Sequence, residues 1–414
     1  MAELIHRPLV TAATDTLLGI FRDGHLADRA IEYNLKHERR WGSRDRRFFA
    51  ETVYDITRWW RRLNWLLGQP GRGAESGVSP DLSEQDVWSV VAAYVTVQTS
   101  GSSMPAWLEV SDAQAKEWRQ HWASKAPSSA IEHSLPDWLE DFSASQLNEA
   151  WPDTIRALNT IAPVFLRVNR LRTDRAQLVV ALAEEGILTE PIPDNDLGLR
   201  LTERKNVFAT KAFAAGHFEV QDGGSQQIAP LVDAEPGQRV IDACAGAGGK
   251  TLHLASLMKN RGKVIALDVH DKKLGELRTR ASRAGVDIVE TRLIESRKVI
   301  KRLIESADRV LLDVPCSGSG VWRRYADSRW RITLDEIARL RNLQTEILRD
   351  YSKMAKPGGA VVYATCSLWP CENQMQVQGF LENCKGQFTL ESEITISPSQ
   401  TPFDGFYAAR LLRK

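Results

Sequence analysis

Cysteine is scarce in this sequence, and the five present, Cys244, Cys316, Cys366, Cys371 and Cys384, all fall in the second half of its 414 residues. An odd, sparse set in a long chain argues against a disulfide framework. Long apolar runs are lacking too. None approaches the roughly 20 residues that a membrane-spanning helix needs, so no membrane partner is expected. The N-terminus, Met-Ala-Glu-Leu-Ile-His-Arg-Pro, has none of the basic-then-apolar order of a secretory signal, and a cytoplasmic protein is expected. Charge of one sign is missing: a net charge of +1 gives no global field that would announce a nucleic-acid partner. There is no Cys-x-x-Cys pair and no histidine cluster, so no metal site is expected. Internal repeats and low-complexity tracts are absent.

What is there divides into segments. The length suggests two or three domains. Residues 1–67 read as helices, with apolar positions every three to four residues through Leu17, Leu18, Ile20 and Phe21, then Phe48, Phe49, Val53, Tyr54 and Ile56. Ser43 is the expected N-cap of the helix carrying the second group. Lys36, Arg39, Arg40, Arg44, Arg46 and Arg47, followed by Arg58, Arg61 and Arg62, form a local basic stretch interleaved with Trp41, Trp59, Trp60 and Trp65. It is either a phosphate-binding face or a solvated helix face above core tryptophans. Gly68 to Pro80 reads as a loop, 83–99 as an apolar helix, and 101–130 as loop with short helices. Two short helices over 137–160 follow. Then come a strand at Phe165–Asn169, a helix from Asp174 to Gly186 with Asp174 as N-cap, and further strands within 197–220. This small α+β module carries Arg167, Asn169, Arg170 and Arg172 on what reads as a basic edge.

From 238 onward strands and helices alternate. Strands are expected at 238–243, 263–268, 309–314 and 360–365. Helices are expected at about 249–259, 271–284, 334–355 and 371–383, with a hairpin at the end. Alternation of this kind implies a parallel sheet covered by helices on both faces. The first strand runs into Cys244-Ala245-Gly246-Ala247-Gly248-Gly249-Lys250-Thr251, which admits three readings. A phosphate-binding P-loop needs Gly where Cys244 stands, and a dinucleotide fingerprint needs Gly where Thr251 stands. An adenosylmethionine site needs only close approach to the backbone. Asp268, ending the next strand twenty residues beyond Gly248, can accept both hydroxyls of a ribose, which either nucleoside reading wants and a P-loop does not.

Two thiols and a carboxylate lie just past strand ends, where open α/β sheets bind ligands. Asp313 closes a buried strand, and Pro315 stiffens the loop that holds Cys316. Cys366 ends the run Tyr-Ala-Thr-Cys-Ser. A lone cysteine is more often a small buried apolar residue than a nucleophile. Two at the ends of strands facing one crevice point to chemistry. Carbon 5 of a pyrimidine is a poor nucleophile until a thiolate adds at carbon 6. A methyl donor, an attacking thiol, a second thiol for release and an acid beside ring nitrogen 3 would together methylate it, once the base has left any stack.

Asp313-Val-Pro-Cys-Ser-Gly-Ser-Gly and Ala364-Thr-Cys-Ser-Leu-Trp-Pro-Cys-Glu-Asn resemble two signature motifs of the RsmB or Sun type of RNA 5-methylcytosine methyltransferases. Phe218-Glu-Val-Gln-Asp-Gly-Gly-Ser-Gln and Asp404-Gly-Phe-Tyr-Ala-Ala resemble the same family. Residues 22–67 look like the NusB-like helical domain that RsmB-type enzymes carry. The resemblance implies a Rossmann-like adenosylmethionine-dependent methyltransferase core at 219–414. Ahead of it would stand a small RRM-like α+β module at 134–218 and an all-helical RNA-binding domain at 1–133. It implies S-adenosylmethionine as cofactor, no metal, an RNA partner with ribosomal RNA favoured over transfer RNA, and a monomer. Cys366 matches the family's nucleophile and Cys316 the cysteine that assists release. Residues 244–250, Asp268 and Asp313 match the cofactor-site motifs, with Glu290 standing where an acid reaches the adenine. Ala247 replaces the family's proline in the glycine loop, Cys371 replaces an acid after Pro370, and residues 68–133 carry none of the family's motifs. A DNA cytosine methyltransferase, using Pro315-Cys316, would have no need of Cys366. A catalytically silent RNA-binding assembly factor would have no need of any of the three.

Overall fold

A computed structural model describes residues 6–99 and 104–414. The chain forms two compact units, one of residues 1–160 with 322–334, the other of 161–321 with 335–414. The sequence leads one to expect 322–334 with the methyltransferase core and 134–160 with the small module. Both stretches carry tryptophans that are buried inside the helical unit instead: Trp330, Trp322 and Trp151.

The first unit is helical: Arg7–Phe21, Ala27–His37, Ser43–Leu66, Glu84–Gln98, Asp112–Ala123, Asp137–Leu147 and Trp151–Leu158. Val10, Leu17, Phe49, Val53, Ile56, Leu63, Val87, Val90 and Val91 interdigitate at its centre. Trp60 stacks on Phe21 at 3.9 Å, and the Trp330 indole N–H donates to the Thr57 carbonyl at 2.7 Å. Of the tryptophans in the basic stretch, Trp60 is core, Trp41 and Trp59 are partly buried against it, and Trp65 is partly exposed. Ser43 is not the N-cap: Gly42 is, and its N–H donates to Asp45 at 3.1 Å, so the carboxylate three residues on does the capping. The arginines divide. Arg58 and Arg61 are buried against Asp55 and Asp137, and Arg46 donates to three main-chain carbonyls. Arg39, Arg40 and Arg44 stay exposed, with no ion pair among the described residues. In the stretch expected as loop, Asp112–Ala123 is a full helix, capped by the Ser111 hydroxyl and burying Trp118; residues 101–103 of that stretch lie outside those described. One buried face on a charged helix leaves little apolar density to read. Among the described residues no helix is long and apolar enough to cross a membrane.

The second unit holds two sheets. Strands β1 (Phe165–Val168), β2 (Thr189–Pro191), β3 (Gly198–Leu201) and β4 (Phe218–Val220) form an antiparallel sheet in the order β2-β3-β1-β4. Helix Arg175–Glu184, capped by Asp174 as expected, connects β1 to β2 and gives a ferredoxin-like module. The larger sheet contains β5 (Arg239–Asp242), β6 (Lys263–Asp268), β7 (Val289–Leu293), β8 (Ala307–Asp313), β9 (Ala355–Thr365), β10 (Phe388–Ile396) and β11 (Phe406–Arg413). Its order is β10-β11-β9-β8-β5-β6-β7. The first five of these strands are parallel. β11 runs antiparallel between β9 and β10 and completes the expected hairpin. β7 had not been expected: Val-Glu-Thr-Arg-Leu is a half-buried edge strand whose charged alternation hides it. Helices Gly249–Leu257, Asp271–Ala284, Leu334–Tyr351 and Gln374–Asn383 cover the faces, and residues 370–372 form a separate turn ahead of the last.

His253 lies in the helix after the glycine loop, almost fully buried, and neither ring nitrogen meets a hydrogen-bonding partner among the described residues. Burial, then the charges of Arg167 and Arg170, hold its pKa well below the ordinary value. The folded state thus refuses a proton that the unfolded chain takes up near pH 6.5. Stability falls as pH drops below that value, by about 1.4 kcal/mol at one unit below. A His253→Leu variant, compared with wild type by urea unfolding at pH 7.5 and 5.5, is expected to lose less stability on acidification by about that amount. Equal losses would remove His253 from the acid limb.

Candidate active site

In the parallel part of the sheet all strands point one way, and the order reverses between β5 and β8. That is the switch point where loops part and a ligand can enter. β5 ends at Asp242, β6 at Asp268, β8 at Asp313, and Cys366 follows β9 directly. β8 and β9 are neighbours, with Asp313 opposite Ala364, so the two cysteine loops rise side by side.

The glycine loop turns through Gly246 at φ +55° and Gly248 at φ +87°, the left-handed region that glycine tolerates. A Cβ on Gly248 would stand 2.0 Å from the Leu277 side chain, whereas one on Gly246 would meet nothing within 4 Å. The loop is therefore open on one side and packed on the other. Asp268 accepts the Gly246 N–H at 2.8 Å on one oxygen and the His270 N–H at 2.9 Å on the other. Each oxygen keeps a further acceptor direction for a ribose hydroxyl. Val269, 60% exposed beside it, offers an apolar surface for a base. This donor and acceptor set fits an adenosyl group.

Two arginines hold the loop from behind. Arg167 of β1 donates to the Gly249 carbonyl at 2.7 Å, and Arg280 donates to the Ala247 carbonyl at 2.7 Å. Glu219 of β4 binds Arg280 at 2.8 Å and Arg283 at 2.5 Å. Burial pulls the Arg167 pKa down to about 9, against the opposing pull of Glu219. Of the expected basic edge, Arg167 and Asn169 are thus buried inside the second unit, and only Arg170 and Arg172 remain outside.

Lys250 pairs with Asp313 at 2.7 Å and lies 5.3 Å from the centre of the Phe406 ring. Burial lowers the ammonium's pKa, but Asp313, with Cys366 close by, outweighs it and leaves it raised. The Cys316 and Cys366 sulfurs are 3.4 Å apart. Their S–H···S contact, burial, and the nearby Cys366 and Glu372 push the Cys316 thiol well above its usual pKa. The two loops are pinned together: the Gly320 N–H donates to the Cys366 carbonyl at 2.9 Å, and the Leu368 N–H to the Ser319 hydroxyl at 2.8 Å. Asp242, buried with the Thr251 hydroxyl donating to it at 2.7 Å, is pushed up to about 7, chiefly by burial. Cys244 is likewise pushed well above its usual value, mainly by burial. Cys371 is buried and pushed up to about 11, chiefly by burial.

Cys366, Cys316, Asp313 and Lys250 therefore come together, with residues 244–249 and Asp268 at the same end of the sheet. Glu290 does not join them. It sits inside β7 opposite Ile265, three residues before the strand's end, and pairs with Lys263 and Arg292. Hydrogen bonds from Arg292 and Lys263 bring its pKa down to about 2. With β7 spanning Val289–Leu293, Glu295 is the first acid beyond its carboxyl end. Asp242, Val269, Gln344 and Glu372 were not singled out as site residues. Only Glu372, next to Asn373 in a quoted motif, left a signal in the sequence.

A seven-stranded sheet in this order, with a glycine turn and an acid ending the neighbouring strand at its switch point, defines an S-adenosylmethionine-dependent methyltransferase. The model of the 16S rRNA methyltransferase RsmB/F family matches residues 229–412, and that of the ferredoxin-like domain of RsmF/B-like methyltransferases matches 135–208. A probable ribosomal RNA small subunit methyltransferase B of Synechocystis sp. is 30% identical over 407 residues, covering 89% of this chain and 91% of that one. A protein of the same description from Bacillus subtilis is 32% identical over 303 residues, 69% of this chain and 68% of the relative. The crystal structure of PH0851 superposes with a TM-score of 0.79 at 25% identity, over 98% of this chain and 99% of that one. The chain belongs to the RsmB/F methyltransferase family.

Proposed function

We propose that this protein methylates carbon 5 of a cytosine in ribosomal RNA through a covalent adduct on Cys366. The observation that carries the reading is the pair of sulfurs 3.4 Å apart on adjacent loops, beside the Lys250–Asp313 pair and next to the glycine loop. Bound S-adenosylmethionine supplies an electrophilic methyl group. Cys366 adds as thiolate to carbon 6 of the base, and the displaced electron pair makes carbon 5 nucleophilic. Once carbon 5 carries the methyl group, its proton passes to a base. The electron pair left behind re-forms the double bond and expels the Cys366 sulfur. Lys250 provides the positive charge that a thiolate nucleophile needs close by. Asp313, fixed by Lys250, takes the polar edge of the ring. Cys316 keeps its proton at neutral pH and stands beside the bond that must break, which suits it to the release step.

Ribosomal RNA is supported by the family's description and by the names of both relatives. The helices of 1–133 are proposed to bind RNA, while the small sheet within 134–218 braces the cofactor loop through Arg167 and the larger sheet within 219–414 carries the thiols. Exposed Arg39, Arg40 and Arg44, with no ion pair among the described residues, are suited to phosphate contacts. Bisulfite sequencing of total RNA from cells with and without the protein tests the reading. One cytosine of small-subunit ribosomal RNA is expected to lose its resistance to conversion in the deletion. A loss confined to transfer RNA would move the substrate there, and no loss anywhere would overturn the chemistry.

A further inference from the structure

Glu372 is fully buried and, among the described residues, has no ion pair. A buried carboxylate without a counter-ion is expensive, and a packing role would be met more cheaply by an uncharged residue. Its oxygens are spent on the Cys316 loop and on Gln344 of the helix Leu334–Tyr351. One accepts the Ser317 N–H at 2.9 Å and the Gln344 side-chain N–H at 2.9 Å; the other accepts the Ser317 hydroxyl at 2.5 Å. The same Gln344 amide donates to the Pro315 carbonyl at 3.0 Å. Both chain neighbours of Cys316 are thereby tied, one directly and one through Gln344. Glu372 itself stands six residues beyond Cys366, held in place by the Tyr363 hydroxyl on its carbonyl at 2.6 Å and by the Asn373 amide on the Ser367 carbonyl at 2.9 Å.

We propose that Glu372 is a positioning residue: its carboxylate sets the loop of Cys316 against that of Cys366 and so fixes the separation of the two sulfurs on which product release depends. Hydrogen bonds to a charged acceptor are about twice as strong as neutral ones, which suits a clamp on a loop that must hold its place through turnover. Its negative charge next to Cys316 also disfavours a thiolate there, keeping the two sulfurs unequal. Glutamine at this position would keep one acceptor oxygen for the two N–H groups, but the Ser317 hydroxyl would have to accept from a neutral amide, so the short charge-assisted bond would become a weaker one and the clamp would loosen on that side. The kinetic consequence rests on the roles proposed above for Cys366 and Cys316; the geometric one does not.

The test therefore has two arms. In the first, diamide oxidises the thiols of full-length protein, and mass spectrometry of peptides follows the Cys316–Cys366 linkage. Two thiols lose two protons and two electrons to the reagent. Glu372→Gln is expected to slow this linkage about tenfold, because the sulfurs no longer dwell within reach. Equal rates in variant and wild type overturn the proposal whatever the enzyme does. In the second arm, Glu372→Gln is expected to lower kcat about 100-fold with KM unchanged, and to accumulate a denaturation-resistant RNA adduct as Cys316→Ala does. Unaltered kcat overturns the proposal. An adduct missing from Cys316→Ala as well, with the linkage slowed as expected, overturns the release role of Cys316 and leaves the positioning role standing. Should Glu372→Gln fail to fold, Ser317→Ala, which removes one of the three bonds, is expected to move both readouts in the same direction by less. No movement in Ser317→Ala then counts against the clamp.

Discussion

Cys366→Ser is expected to abolish methyl transfer, by about 10⁴-fold or more, together with every trace of covalent RNA adduct. Serine differs from cysteine by one atom and fits the same space after β9, so the fold and the glycine loop should be undisturbed. What changes is the nucleophile. A hydroxyl stays protonated far above the pH at which a thiol ionises, and the Lys250 charge cannot make up the difference. Without attack on carbon 6, carbon 5 never becomes electron-rich. The measurement is tritium transfer from labelled S-adenosylmethionine to RNA extracted from cells lacking the protein, alongside cofactor affinity. Retained affinity with no transfer is expected. Normal turnover would show that the attacking thiol had been misassigned and would pass the role to Cys316.

Cys316→Ala is expected to give the opposite phenotype. Attack by Cys366 and methyl transfer need only one sulfur, so the first half of the reaction proceeds and about one methyl group enters per enzyme. Release then stalls, because the group 3.4 Å from the Cys366 sulfur is gone. Multiple-turnover activity is expected to fall at least about 1,000-fold, while a band of protein joined to RNA survives denaturing electrophoresis. Adding Cys366→Ser to this variant should remove the band, since the bond it reports is the one made by Cys366. Turnover at the wild-type rate, or a stalled enzyme with no adduct, would contradict the release role.

Both expectations depend on neighbourhood. The motifs around Cys316 and Cys366 are visible in the chain, but fifty residues separate them. Nothing local says that β8 and β9 pair with Asp313 opposite Ala364. Likewise the glycine loop shows its turn residues and Asp268 its distance from them, yet the arginines that hold the loop come from elsewhere. Arg167 reads in the sequence as part of a surface stretch. It proves to be buried because β1 is covered on both sides, by its own helix and by the methyltransferase core. Glu290 lies inside β7 and not at a strand end, which the sequence hides for a related reason. A half-buried edge strand leaves a weak pattern, and one misjudged strand shifts which acid reaches the carboxyl edge.

By itself the sequence determined the alternation of strands and helices, the small α+β module, the glycine loop and which thiols and acids stand at strand ends. These are properties of short segments: apolar periodicity, capping residues, glycine at positive φ, and thiols next to turns. The tertiary structure alone decided which thiol is held beside which, that Lys250 answers Asp313, that Glu372 clamps the loop of Cys316, and that 322–334 fold with the helices. Each of these is a contact between segments distant along the chain. Its energy depends on burial and on separations of about 3 Å, which no pattern of neighbours along a sequence records.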